Sequence, residues 1–215
     1  MKFLLTSLVT LCALSSSFAL EFTDFNEGQQ EMLQNGQILV WSDDRGAKIF
    51  VCAAIVISHP IQTVWDLIDD KERAPEFLDG LEVARVVERA EDHVLIYQET
   101  RPATVGIAKR YKYTVKHMTF PLERVDFHRV SGDLRHIEGA WTFDEVSPSE
   151  TMLLYELHID PGKIVPQKLV ARSQKEKLPQ VMADVRDQLD SDQAAIESSA
   201  GEPEIATAPA AQPVP

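Results

Sequence analysis

The residues with chemistry to offer are six histidines, His59, His93, His117, His128, His136 and His158, together with the strand-embedded carboxylates Glu138 and Glu156. Imidazoles bind metal most readily when two stand four apart on one helix face, or beside a cysteine pair. No two of the six are so placed, and no HExxH occurs. No metal and no cofactor is therefore expected. His128, His136, His158 and Glu138 could meet on one face of adjacent hairpin strands. The plainer reading is an outward polar face or hydrogen-bonded imidazoles. A lone carboxylate in an apolar pocket would have a raised pKa and could serve as acid or base. Side chains alternate along a strand, so Glu138, His136, Glu156 and His158 fall on the face opposite Trp141 and Tyr155. That placement weakens a catalytic role unless a bulge shifts the register.

Other chemistries lack their frames. A serine nucleophile needs an elbow such as GxSxG, and Ser131-Gly132-Asp133 reads instead as a turn. Nine glycines, mostly isolated at turns, make no phosphate-cradling loop. Cys52 lies in an apolar strand-like run with no base to activate it, so it reads as a buried inert thiol. Asp66, Asp69, Asp70 and Glu72 read as a solvated helix end. Lys109, Arg110 and Lys112, interleaved with Tyr111 and Tyr113, could meet an anionic headgroup or simply form an amphipathic edge. With 21 basic against 34 acidic residues, a net charge of −13, the chain does not suit nucleic acid.

The elements that would position these residues follow from the apolar pattern. Residues 48–58 (KIFVCAAIVIS) form a long buried strand that His59-Pro60 ends. Ile61, Val64, Trp65 and Ile68 then recur at helical spacing, predicting a short helix over 60–69. A second short helix covers about 74–78. Six strand-like runs follow between Leu81 and Ile159, separated by hairpin-sized gaps, so an antiparallel meander is expected. Ile137, Trp141 and Phe143 share one face with Gly139, and Leu153, Tyr155, Leu157 and Ile159 share another. From about Val165 to Leu189 the pattern is helical, with Leu178, Val181, Met182, Val185 and Leu189 on one side. Pro179 should kink or divide that helix. A sheet with one apolar face must be covered, and only this helix is large enough. Rossmann topology is excluded because strands do not alternate with helices.

The ends read differently. Met1-Lys2, the apolar run Phe3–Leu14 and small residues at Ser17 and Ala19 make a secretory signal over 1–19, with the mature chain starting near Leu20. The run is too short for a bilayer span, which takes ~20 apolar residues. Cys12 follows Leu11 rather than a small residue, which disfavours lipidation. Residues 20–36 form an N-terminal extension with a short helix over Gln29–Gln34, stopped by Asn35-Gly36. The main domain spans 37–190. Residues 191–215, rich in Ala, Pro, Glu and Ser, read as a disordered tail.

Several stretches resemble the START-like superfamily, also called SRPBCC or polyketide cyclase/dehydrase-like, which includes coenzyme-Q-binding-protein-like members. Residues 54–65 (AIVISHPIQTVW) look like the family's first strand entering its first helix. Phe77-Leu78-Asp79-Gly80-Leu81 looks like its entry to the second strand. Gly139-Ala140-Trp141-Thr142-Phe143 with Thr151–Ile159 resembles its late hairpin, and Asp160-Pro161-Gly162 leads to the C-terminal helix. The segment Leu33–Trp41 resembles an extension of exported bacterial members. The resemblance implies an α+β helix-grip fold: a curved antiparallel sheet around a long C-terminal helix, with two short helices after the first strand.

It also implies binding of an apolar molecule. Phe77, Leu81, Trp141, Phe143, Tyr155, Leu157, Val181, Met182 and Val185 are the candidate lining, with Tyr155 able to add a hydrogen bond. The alternative for the same residues is a solid core. The expected function is binding or carriage of a lipid, quinone or polyketide-like molecule in the cell envelope, in a bacterial periplasm. The alternative is a cyclase- or hydrolase-type enzyme using the same pocket. No integral membrane segment is expected in the mature chain, transient membrane contact is left open, and oligomeric state is not legible.

Overall fold

A computed structural model describes residues 20–101, 110–162 and 166–200. The expected signal peptide, Lys109 and the last fifteen residues of the expected tail lie outside them. Among the described residues eight strands form one antiparallel sheet: β1 (Leu39–Arg45), β2 (Lys48–Ile57), β3 (Leu81–Arg89), β4 (Val94–Thr100), β5 (Tyr111–Phe120), β6 (Arg124–Gly132), β7 (His136–Ser147) and β8 (Glu150–Asp160). Their order is β1-β2-β8-β7-β6-β5-β4-β3, so the sheet is open at β1 and β3. The helices are α1 (Glu27–Gln34), α2 (Ile61–Asp69), α3 (Ala74–Phe77) and α4 (Gln167–Ala200). All six strands expected after Leu81 are present, and the α+β helix-grip arrangement holds.

β2 is an unbroken apolar run because both of its faces are covered. Val51, Ala53, Ile55 and Ile57 join the main core with α2 and α4. Ala54 and Val56 join a second core on the outer face, with Met152, Leu154, Phe25 and Leu33. The N-terminal extension supplies that outer cover. Its helix starts at Asn26, whose side chain accepts from the Gln29 amide at 3.0 Å while Gln29 accepts from the Asn26 amide at 3.1 Å. It stops at Asn35, with Gly36 at φ +72°, as the Asn-Gly pair predicts. The Phe22 amide donates to Asp144 at 2.7 Å, and Phe25 meets Trp41 edge-on at 5.8 Å.

β1 was not legible as a separate strand, because its second half reads Ser-Asp-Asp-Arg. A tight turn at Gly46, φ +74°, folds it back onto β2.

α4 turns Ala171, Gln174, Leu178, Met182, Val185 and Leu189 inward and lies chiefly across β1, β2 and β8. Two expectations about this helix need correction. Pro179 does not divide it; one helical element runs through, held by buried Leu178 and Met182 on either side. Residues 191–200 are helical rather than disordered. Tertiary and local pairing explains the extra turns: Asp192 accepts from Arg73 at 2.6 Å and from Gln188 at 2.8 Å, and Gln193 donates to Glu197 at 2.7 Å.

Candidate ligand site on the inner face of the sheet

Alternation places Tyr111, Tyr113, Val115 and His117 of β5 inward, with Val125 and Phe127 of β6 beside them. Register carries the row onward. His117 faces Phe127, Phe127 faces Gly139, and Gly139 faces Leu157. The next row pairs Val125 with Trp141 and Trp141 with Tyr155. Trp141 and Tyr155 stack with centroids 3.9 Å apart and planes 13° apart. Tyr155 approaches Phe127 at 6.1 Å, and Phe127 stacks on His117 at 5.7 Å. Four strands thus carry one continuous floor of rings. Trp65 of α2 closes one end against Phe143 at 5.0 Å.

All nine candidate lining residues meet in this one core. Trp141, Phe143, Leu157, Met182 and Val185 are buried, and Phe77, Leu81, Tyr155 and Val181 pack against them half-buried. Met182 and Val185 have no exposed surface and seat α4 on the sheet. The half-buried members are the ones with surface left to offer. Burial pushes the Tyr155 hydroxyl above its ordinary pKa, so it remains a neutral donor. Burial likewise pushes Tyr113 up to about 12, although a hydrogen bond with Thr100 opposes it.

The inner face also carries polar groups that the sequence reading did not select. His117 is buried, and burial together with the charges of Lys71 and His128 pushes it down to about 3. Its Nδ1 has no hydrogen-bond partner among the described residues, and neither do Arg129 Nε and Gln174 Nε2. The strict alternation of Tyr111, Tyr113, Val115 and His117 was the signal that could have found His117. Lys71 is buried at the end of α2, where its Nζ donates to the Ile68 carbonyl at 2.9 Å and to Asp69 at 3.0 Å. Burial holds that ammonium below its ordinary pKa.

Glu138, Glu156, His136 and His158 lie on the outer face, as alternation predicted. Glu156 takes Arg45 and Arg124, each at 2.8 Å, and Arg124 also holds Asp126. Glu138 pairs with Lys48 at 2.5 Å and His136 at 2.9 Å. Partial burial disfavours the Glu138 carboxylate, yet those two partners outweigh it and hold the carboxyl below its ordinary pKa. A general acid would need the opposite shift. His158 bonds the Ile49 carbonyl through Nδ1 at 2.9 Å. His136 and His158 do approach, at 5.8 Å, and Glu138 stands opposite both His128 and His158. Among the described residues no group of three potential ligands is arranged to hold a metal ion.

Cys52 is buried, and burial pushes its thiol up to about 12, which keeps it unreactive. The basic strand is neutralised outward: Arg110 meets Glu82 at 2.5 Å, and Lys112 meets Glu99 at 3.2 Å. A separate surface cleft of about 480 Å³ lies where Ser58, His59 and Pro60 face the far end of α4. There His59 bonds Asp190 at 2.9 Å.

An open antiparallel sheet closed by a long C-terminal helix, with a ring-lined inner face, defines the START-like helix-grip class. Residues 57–186 match the family described as polyketide cyclase / dehydrase and lipid transport, and the chain belongs to that family. It is similar to the ribosome association toxin RatA of Pseudomonas aeruginosa, at 23% identity over 105 residues, 49% of this chain and 70% of that protein. Its fold is similar to the Zhui aromatase/cyclase of Streptomyces sp. R1128, with TM-score 0.60 and 12% identity, covering 68% of this chain and 96% of that one. It is also similar to a STAR-related lipid transfer protein of Xanthomonas axonopodis, with TM-score 0.59 and 11% identity, covering 71% and 92%. Among the described residues no helix is long and apolar enough to cross a membrane.

Proposed function

We propose that the protein binds and carries a hydrophobic small molecule, a lipid, quinone or polyketide-like compound, between its ring-lined sheet face and α4. The observation that carries this is the aromatic floor His117–Phe127–Tyr155–Trp141, to which the half-buried Tyr155 still offers surface beneath a helix that lies chiefly over β1, β2 and β8. Sites for apolar ligands are concave, mostly aromatic and aliphatic, with few polar groups. Membership in a family described by cyclisation and lipid transport supports the reading. So do the aromatase/cyclase and lipid-transfer proteins that share the fold.

The ligand contacts fall to Phe77, Leu81, Tyr155 and Val181, backed by Trp141, Phe143 and Leu157. The enzyme alternative draws no support from Glu138, Glu156, His136 and His158, all engaged on the outer face. The site of action is the cell envelope, on the strength of the signal-like residues 1–19. Titration with N-phenyl-1-naphthylamine, which fluoresces on leaving water, tests the binding claim. Saturable one-to-one uptake is expected; a linear, unsaturable signal would refute it.

A further inference from the structure

We propose that the surface cleft between the end of β2 and the last turns of α4 binds a linear aliphatic polyamine, with one ammonium group on Asp190 and another on Glu197. The cleft is separate from the inner face, since none of its lining residues belongs to the main core. Its volume of about 480 Å³ is that of a small-molecule site. Among the described residues its lining includes Asp190 and Glu197 but no Lys or Arg, and residues 190–200 carry no basic side chain at all. Acceptors also dominate its hydrogen-bonding capacity. Asp190 Oδ1 takes His59 Nε2 at 2.9 Å, and Glu197 Oε1 takes Gln193 Nε2 at 2.7 Å. The second oxygen of each carboxylate and the Gln193 carbonyl are further acceptors. An ammonium group, which has three donors and no acceptor, complements such a lining.

Both walls are held in place without a ligand. His59 is 5% exposed, its carbonyl accepts from Thr151 Oγ1 at 2.9 Å, and its ring steadies the Asp190 carboxylate. On the other wall Leu189 is buried, and Asp192 accepts from Arg73 at 2.6 Å. A preformed site loses less freedom on binding. The spacing selects the ligand class. Asp190 and Glu197 are seven residues apart, two turns along one helix face, or about 10 Å. Ala194 lies between them and Pro60 faces them, which gives methylene groups an apolar surface. A single ammonium reaches one carboxylate, whereas a polyamine such as spermidine reaches both. Anions meet repulsion there. A metal ion fits less well, because among the described residues no group of three ligands is arranged to hold one.

Calorimetric titration of the full chain tests this in about 0.15 M salt, which screens diffuse attraction beyond ~8 Å. The probes are spermidine, hexylamine, 1,6-hexanediol and a capped dilysine peptide. Spermidine should bind saturably and one to one, about twofold to fivefold tighter than hexylamine, and hexanediol should not bind. D190N and E197Q should each weaken spermidine about twofold to fivefold, the factor one partly exposed ion pair supplies. Glu197 stands on an exposed turn and bonds Gln193 of its own helix, so E197Q gives the answer if D190N disturbs the fold. E91Q removes an equal charge from the β3–β4 turn, at the other edge of the sheet, and should change nothing. Equal losses in E197Q and E91Q, or equal affinity for spermidine and hexylamine, overturn the paired-carboxylate site. Dilysine binding tighter than spermidine overturns the polyamine class in favour of a basic protein segment. Saturable binding of no amine overturns the proposal and leaves the inner-face ligand untouched.

Discussion

Gly139 and Phe127 are register partners on β7 and β6, and a Cβ built on Gly139 would lie 2.6 Å from the Phe127 ring and 2.0 Å from the Glu156 carbonyl. The absent side chain is what lets Phe127 lean across β7 toward Tyr155. Gly139→Ala should therefore destabilise the fold by about 1–3 kcal/mol, the usual cost of overpacking. It should also weaken probe binding, because the floor loses its middle ring. Urea unfolding and probe titration on the same variant check both effects.

His117 makes a pH prediction. Its folded pKa is about 3, against an ordinary value of about 6.5 in the unfolded chain. Below about pH 6.5 the unfolded chain takes up a proton that the folded chain refuses, so stability is full above that pH and falls as pH drops toward 3. The slope is about 1.4 kcal/mol per pH unit. Between about pH 7.5 and about pH 5, wild type should lose about 2 kcal/mol more than His117→Phe. Equal losses in urea melts at the two pH values would contradict a neutral, buried His117.

The outer face should affect stability without affecting the ligand. Glu156 sits between Arg45 and Arg124, and Glu156→Gln leaves each guanidinium with one carboxylate in place of two, Asp43 for Arg45 and Asp126 for Arg124. Removing one partner of a buried pair costs about 3–5 kcal/mol; the solvent exposure of Arg45 reduces this to about 1–2 kcal/mol. Probe affinity should not change. A loss of affinity larger than the loss of stability would place Glu156 in the site and revive the enzyme reading.

Residues 1–19 carry the localisation proposal. Expressed in a Gram-negative bacterium, the full chain should appear in the periplasmic fraction with its N-terminus near Leu20 by intact mass. An unprocessed chain in the cytoplasm would remove the envelope from the account.

Much of this architecture was legible because strand and helix periods differ. The alternation in β7 and β8 assigned Trp141, Phe143, Tyr155 and Leu157 inward, and Glu138 and Glu156 outward, before any coordinate. The i, i+3, i+4 ridge of α4 placed Met182 and Val185 against the sheet. What escaped depended on partners distant in sequence. β1 ends in charged residues because that end faces solvent and Glu156, and only pairing with β2 makes it a strand. The turns after Ser191 look like a tail by composition, but Arg73, 119 residues earlier, bonds Asp192. Gln174 and Arg129 read as surface residues by type. Only the helix ridge and the β6 register turn them inward.

Native mass spectrometry of the mature protein, purified from its own cells without detergent, tests the central claim most directly. The account predicts a stoichiometric adduct, released by organic extraction as a hydrophobic small molecule. A protein of bare polypeptide mass that also takes up no apolar probe would contradict it and leave the inner face as a filled core.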